Sequence, residues 1–293
     1  MNIPSAGSLK DKNMISRLSN LKINLKQLPV APMSIICIII FIAVFAPLLT
    51  SHSPTEPSVS TRLKPPSKDH LLGTDSMGRD LFTRLLYGAR ISLMVAVLTL
   101  TVGGGVGLVI GLSSGYFGGK LDILLSRLID VTLSFPTIFF ALLFSVTVGA
   151  GLKTVVIAIS MVTWARVARV IRGDVLSIKE RDFVAQAKVI GCSHLRIIWY
   201  HILPNVLNTF MVIVSLDVGW IIIVEAILSF LGAGIPPPTP SWGAMVAEGR
   251  GYLTSAWWVS LIPGGAIMLT VLSLNLFGDW LRDFLDPKLK EQM

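Results

Sequence analysis

Two acidic side chains stand inside otherwise apolar sequence: Asp217 and Glu225, in the run from Val206 to Phe230. A carboxylate at the centre of a bilayer costs about 2.5–3.5 kcal/mol on insertion scales, so such groups turn toward protein or a water-filled path. Eight residues at about 100° each place the two roughly 80° apart around a helix, so they do not converge on one paired site. Two uses stay open: one of them lines a translocation path and attracts a cationic or amino-terminal group, or both make structural hydrogen bonds to a neighbouring helix or a partner chain. The remaining reactive residue types form no site by spacing. His194 and His201 are seven apart, beyond the four-residue step of a helical zinc pair, and His52 and His70 flank a Pro-rich stretch, so no metal ligands are assigned. Ser, His and Asp occur in no nucleophile elbow or triad context, and no catalytic residues are assigned. Gly118-Gly119-Lys120 lacks the earlier glycine of a phosphate loop and is followed by Leu121, so nucleotide binding by this chain is not expected.

These residues need a scaffold, and composition restricts what it can be. Of 293 residues 53% are hydrophobic and 14% charged, with a mean hydropathy of +0.72; a soluble domain carries about 25% charge. Cys37 and Cys192 are the two cysteines and imply no disulfide framework. Apolar stretches long enough to cross a bilayer core of about 30 Å run from Met33 to Thr50, Ile91 to Gly119, Val131 to Leu152, Val206 to Phe230 and Val259 to Leu281. A shorter one, Thr154 to Ala165, becomes a span if Arg166 and Arg169 snorkel from its end. The expected fold class is therefore an all-α membrane protein of about six transmembrane helices. Seventeen of the 25 Lys and Arg residues fall in the segments on the side of the two termini, which predicts both termini cytoplasmic. The net charge of +8 then reflects cytoplasmic loops rather than a nucleic-acid surface.

The chain divides into a cytoplasmic tail (1–32), an N-terminal anchor helix (33–50), an outer linker (51–84), a helical body (85–282) and a cytoplasmic C-terminal tail (283–293). Pro54, Pro57, Pro65 and Pro66 favour extended, surface-bound chain in the linker. Gly103, Gly107 and Gly111 recur every four residues, a face along which a second helix can approach closely. Trp242, Trp257 and Trp258 are expected in an aromatic belt at the outer interface.

The loop between the fourth and fifth spans, 179–202, is the most distinctive segment. Phe183, Val184, Ala187 and Ile190 recur at helical spacing, Gly191 suits a helix stop, and Ser193 can cap the next helix. This predicts two short helices joined at a glycine, the second carrying Leu195, Ile198, Trp199 and Ile202 as a stripe that ends at Pro204. An interfacial helix lying on anionic lipid would give the same pattern.

Ala185-Gln186-Ala187, then Gly191, then Ile202-Leu203-Pro204 resembles the cytoplasmic signature of permease subunits of bacterial ATP-binding-cassette importers. Ala187 and Gly191 match strictly; Ala185 stands where the family has an acidic residue, and His201 where it has isoleucine. Leu72-Gly73-Thr74-Asp75-Ser76-Met77-Gly78-Arg79-Asp80, the stretch Leu228 to Gly243, and Asn275 to Pro287 resemble signatures of the C-type permease of dipeptide, oligopeptide and nickel importers. The resemblance covers about residues 30–290. It implies a type I importer permease fold in the bacterial cytoplasmic (inner) membrane, with Asp182, Ala185, Ala187, Gly191, Leu203 and Pro204 in the ATPase-coupling loop. It also implies a related second permease, two ATPase subunits that hold ATP-Mg, an extracytoplasmic binding protein, and no cofactor on this chain. Di- or oligopeptides are the expected cargo, with nickel as the alternative. From hydropathy alone, an ion-driven secondary transporter using Asp217 or Glu225, or a membrane scaffold without a path, remains open.

Overall fold

The computed structural model describes residues 29–285; the expectations for most of the N-terminal tail and for 286–293 lie outside them. The described chain is almost entirely helical. Helix α1 spans Val30–Leu49. Helix α2 runs through Leu81–Phe117 with one widened, π-type turn at Leu100–Gly104. Helices α3 (Gly119–Ser134) and α4 (Thr137–Val148) follow, then α5 (Leu152–Ile178) and α6 (Asp182–Val189). Helix α7 spans His194–Phe230, α8 Trp242–Gly249 and α9 Trp258–Leu285. The end carrying Leu81, Phe230 and Trp258 is the head of the bundle; the opposite end, with Phe117, Ile178 and α6, is its base.

Five of these helices, α1, α2, α5, α7 and α9, are long and apolar enough to cross a membrane, and the bent pair α3 and α4 makes a sixth crossing if counted as one. Hydropathy predicts an unbroken span from Val131 to Leu152. The two helices instead meet at 85°, because Pro136 donates no backbone hydrogen bond and holds Phe135 extended (φ −84°, ψ 133°).

The glycine face on α2 packs as its spacing predicts, and it is one turn longer. A Cβ on Gly103 would lie 3.0 Å from the Ser160 carbonyl oxygen, on Gly107 2.5 Å from that of Trp164, on Gly111 2.8 Å from that of Ala168, and on Gly115 2.7 Å from Val175 Cβ. Helices α2 and α5 therefore approach closely at four successive glycine positions, which gains dispersion energy that lipid does not match. Around this seam Val155, Ile159, Ile221, Ile222 and Leu228 form the central core, while Leu112, Ile171, Val175, Val184, Ile197 and Ile202 form a second core at the base. Helix α1 buries Ala43 and Ala46 and leaves Ile38, Phe41, Val44 and Leu48 exposed, as a lipid-facing anchor would.

Two further expectations change. The second helix of the loop is not short: it continues through Pro204 into the long span α7. A widened turn at Ile198–Ile202 directly precedes the proline, and such turns absorb the missing hydrogen bond and the ring clash that would otherwise end the helix. Trp242 and Trp258 do not sit in an interfacial belt. Trp242 is buried over Gly88 and its indole donates to the Leu85 carbonyl at 2.9 Å; Trp258 is buried and donates to the Thr74 carbonyl at 3.3 Å. The segment after α7 folds back onto the head and takes both rings with it, whereas Trp257 stays exposed.

Candidate functional site

The base loop is organised around Gly191. Its φ of +83° lies in the left-handed region that glycine enters without a Cβ penalty. Gly191 N–H donates to the Lys188 carbonyl and Cys192 N–H to the Ala187 carbonyl, each at 3.0 Å, a Schellman ending for α6. Ser193 then caps α7, its hydroxyl accepting from Arg196 N–H at 3.4 Å. Val184 and Ala187 face inward and pack with Ile178 from α5 and Ile197, Ile202 and Val206 from α7. Ala187 thus lets α6 approach its own bundle, and it is the outward residues Asp182, Ala185, Val189 and Ile190 that are open. Val189 and Ile190 are 88% and 81% exposed, too apolar for a surface that meets water alone. Leu203 is half-buried and Pro204 exposed at the start of the long helical segment. Tyr116 at the foot of α2 shares a 2.9 Å hydrogen bond with His194 Nδ1, and Lys179 donates to the Gly115 carbonyl at 3.0 Å. The loop is tied to α2, α5 and α7 together.

Arg166, Arg169 and Arg172 do not snorkel from a helix end. They lie within α5 and each meets a carboxylate on a neighbouring helix: Arg166 Nη2 donates to Asp217 Oδ1 at 2.6 Å, Arg169 pairs with Asp130, and Arg172 donates to Asp122 at 2.6 and 2.8 Å. Steps of three residues rotate the arginines by about 60° each around α5, so the row turns from α7 at Arg166 to α3 at Arg172. Arg166 also stacks on Trp220, its guanidinium carbon 4.1 Å from the ring centroid, a cation–π contact favoured by low dielectric. Asp217 is buried, and its Oδ2 has no hydrogen-bond partner.

Glu225 is fully buried among hydroxyls. Ser229 donates to Oε1 at 2.7 Å and Ser92 to Oε2 at 3.3 Å, while Ser241 donates to Ser229 at 3.4 Å and also caps α8. This carboxyl group therefore joins α2, α7 and the start of α8. Asp217 and Glu225 face different neighbours and do not form one site.

The head carries a buried charge cluster for which the sequence gives no local sign. Asp75 accepts from the Arg79 side chain at 2.7 Å and from the backbone N–H of Met77 and Arg79; Arg79 and Arg84 both donate to Glu248 on α8, at 2.8 and 3.1 Å. Asp80 caps α2 by accepting from Thr83 N–H at 2.8 Å and meets His70 Nδ1 at 3.0 Å. Gly73 and Gly78 adopt φ of +78° and +77° in the turns between. The stretch from Leu72 to Asp80 is thus a packed buttress, with Asp75 1% exposed, rather than extended linker. Among the described residues no group of three or more His, Cys, Asp or Glu is placed to hold a metal ion.

These features define a multi-pass helical membrane protein whose base loop is mechanically tied to its central spans. The model of the family described as "Binding-protein-dependent transport system inner membrane component" matches residues 107–291, and the chain belongs to that family. It is 43% identical over 256 residues to a putative peptide transport system permease protein of Brucella suis, covering 87% of this chain and 86% of the relative. It is 44% identical over 264 residues to a dipeptide transport system permease protein of Alkalihalophilus pseudofirmus, covering 90% and 87%. An oligopeptide transport system permease protein of Bacillus subtilis is 36% identical over 98% of this chain and 97% of its own length. Among solved structures, an amino acid ABC transporter crystallised with histidines superposes with a TM-score of 0.55 at 17% identity, over 69% of this chain and 94% of that one. A methionine ABC transporter in an inward-facing conformation gives 0.55 at 15% identity, over 70% and 96%. The fold is that of type I ABC importer permeases, and the chain is a permease component of a transport system.

Proposed function

We propose that this chain moves di- or oligopeptides across the bacterial inner membrane by alternating access, driven by ATP hydrolysis on separate subunits. The reading is carried by one observation. The base loop is cored onto α5 and α7, the two helices that enter and leave it, and the same helices are joined within the bundle by Arg166 and Asp217. A push on α6 must therefore move both spans as a unit. One of two ATPase subunits that bind ATP-Mg would dock on the open side of α6, through Asp182, Ala185, Val189 and Ile190, and the other on the corresponding loop of the second permease. Gly191 sets the bend, Ala187 seats α6 against its own bundle, and Leu203 and Pro204 carry the motion into α7. Closure of the ATPases shifts the population of bundle conformations, and release of hydrolysis products resets it.

A related second permease completes the path and an extracytoplasmic binding protein delivers the cargo, with the base and both termini on the cytoplasmic side. The relatives' names favour peptides over nickel. Asp217 borders the path as the counter-ion of Arg166, and Glu225 acts as a structural contact between α2, α7 and α8. The test is Ile190→Cys in a chain whose Cys37 and Cys192 are replaced by Ser. Oxidation should cross-link it to cysteines placed along the ATPase surface, in an ATP-dependent pattern. A complex that transports peptide with no cross-link anywhere on the ATPase refutes the docking.

A further inference from the structure

Arg166 has more hydrogen-bonding capacity than the bundle uses. Its Nη2 bonds Asp217 and its face lies on Trp220, while Nε and Nη1 have no acceptor among the described residues, and the side chain is 34% exposed. Arg169 and Arg172 are committed to Asp130 and Asp122 on the other flank of α5. A partly open guanidinium at this depth does not face lipid; it faces water or another polar group.

The surroundings indicate which. At about 100° per residue, positions 170, 174 and 177 of α5 fall within about 80° of Arg166, and positions 205, 209 and 212 of α7 fall within about 80° of Trp220. The basal parts of these two stripes line a cavity of about 420 Å³ together with Arg282 and Leu285 of α9; its polar lining is Asp174, Ser177, Arg181, Asn205, Asn208, Thr209 and Arg282. Arg166 lies about two helical turns further along the same stripe of α5 than Asp174, beyond the lining of this cavity.

We propose that Arg166 is an anion-binding residue of the translocation path, and that it receives the carboxylate of the passing peptide while Trp220 and Asp217 hold the guanidinium in place. This deepens the peptide-importer reading and rests on it. Every unblocked peptide carries an α-carboxylate whatever its side chains, and a guanidinium with free N–H groups recognises that group in two-point geometry. Asp217 offsets part of the positive charge, so the carboxylate is held weakly enough to leave.

The experiment uses the complete importer in liposomes, with Val170→Cys as a reporter one turn along the stripe, in a chain otherwise free of cysteine. The introduced thiol should react with a water-soluble thiol reagent, and millimolar dipeptide should slow the reaction at least threefold. The same dipeptide carrying a C-terminal amide should not slow it, and Arg166→Gln should abolish the protection, while Arg166→Lys, which keeps the charge but loses the planar fork, should weaken it. If Arg166→Gln fails to assemble because Asp217 is left unpaired, the neutral pair Arg166→Gln with Asp217→Asn takes its place, with the same expected loss. An inert thiol at position 170 in a transporting complex places the stripe under a partner or lipid and overturns the proposal. Equal protection by peptide and amide, or full protection that survives in Arg166→Gln, also overturns it. ATP-driven uptake of the dipeptide is measured in the same vesicles: uptake without the expected protection refutes the Arg166 site alone, and absence of uptake refutes the peptide reading with it.

Discussion

Gly107 offers a quantitative test of how the bundle is held. A Cβ there would lie 2.5 Å from the Trp164 carbonyl oxygen and 2.7 Å from Val167 Cβ, where ordinary contact begins near 3.4 Å, so Gly107→Ala must push α2 and α5 apart by about 0.9 Å. Backbone lies opposite, and it cannot swing aside as a flexible side chain would. Overpacking of this kind costs about 1–3 kcal/mol, and the reduced freedom of the unfolded chain returns about 0.4–1 kcal/mol. The net loss should be about 1–2 kcal/mol by these two ranges. For a chain of this size that lowers the thermal midpoint by several degrees, at about 2–4 °C per kcal/mol. Gly105→Ala is the control, since nothing lies within 4 Å of its Cβ position and its φ is −62°; it should be neutral or raise the midpoint slightly. Thermal unfolding of both variants in detergent, followed by tryptophan fluorescence, reads the difference. Equal midpoints for the two, or a Gly107→Ala protein as stable as wild type, would refute the close-packed seam.

Further expectations concern the two ends of the bundle. Glu248→Ala removes one of the two acceptors that Arg79 and Arg84 share, and since Asp75 still pairs with both the loss is that of unmet buried hydrogen bonds, about 1–3 kcal/mol; limited proteolysis should then cut the 51–80 segment faster than in wild type. Trp242→Phe removes the indole donor to the Leu85 carbonyl while keeping most of the ring, so a loss of about 1 kcal/mol is expected in thermal unfolding. Gly191→Ala forces a Cβ into left-handed backbone at a cost of about 1–2 kcal/mol, with open space around it. The complex should therefore still assemble while peptide uptake falls, and a fully active Gly191→Pro importer would remove the glycine from the coupling account.

The parts of this architecture that can be read in the sequence are those set by local repetition. The four-residue glycine step predicts a helix seam whatever the partner helix is, and the Ala187 to Ser193 pattern predicts a stop and a cap because both are satisfied within one turn. Hydropathy locates the spans but cannot show that the third is bent at Pro136, nor that Pro204 lies inside a continuous helix, since a widened turn has no residue signature of its own. The ion pairs are hidden for a different reason. Arg84 and Glu248 are 164 residues apart, and nothing in either local sequence names the other. The arginine row has a visible spacing, Arg166-x-x-Arg169-x-x-Arg172, and Asp122 and Asp130 stand eight apart on the facing helix. Weighing those carboxylates as counter-charges, rather than counting the arginines toward a basic loop, is the signal that would expose the pairing.

Movement of peptide through this chain on energy supplied by another is tested most directly by accumulation of a labelled dipeptide in proteoliposomes. The vesicles hold this chain, its partner permease, the ATPase subunits and a loaded binding protein. Accumulation should require ATP hydrolysis and disappear when this chain is omitted or when the ATPases are inactivated. Accumulation by this chain alone on a proton gradient, with no ATPase present, would contradict ATP-driven import.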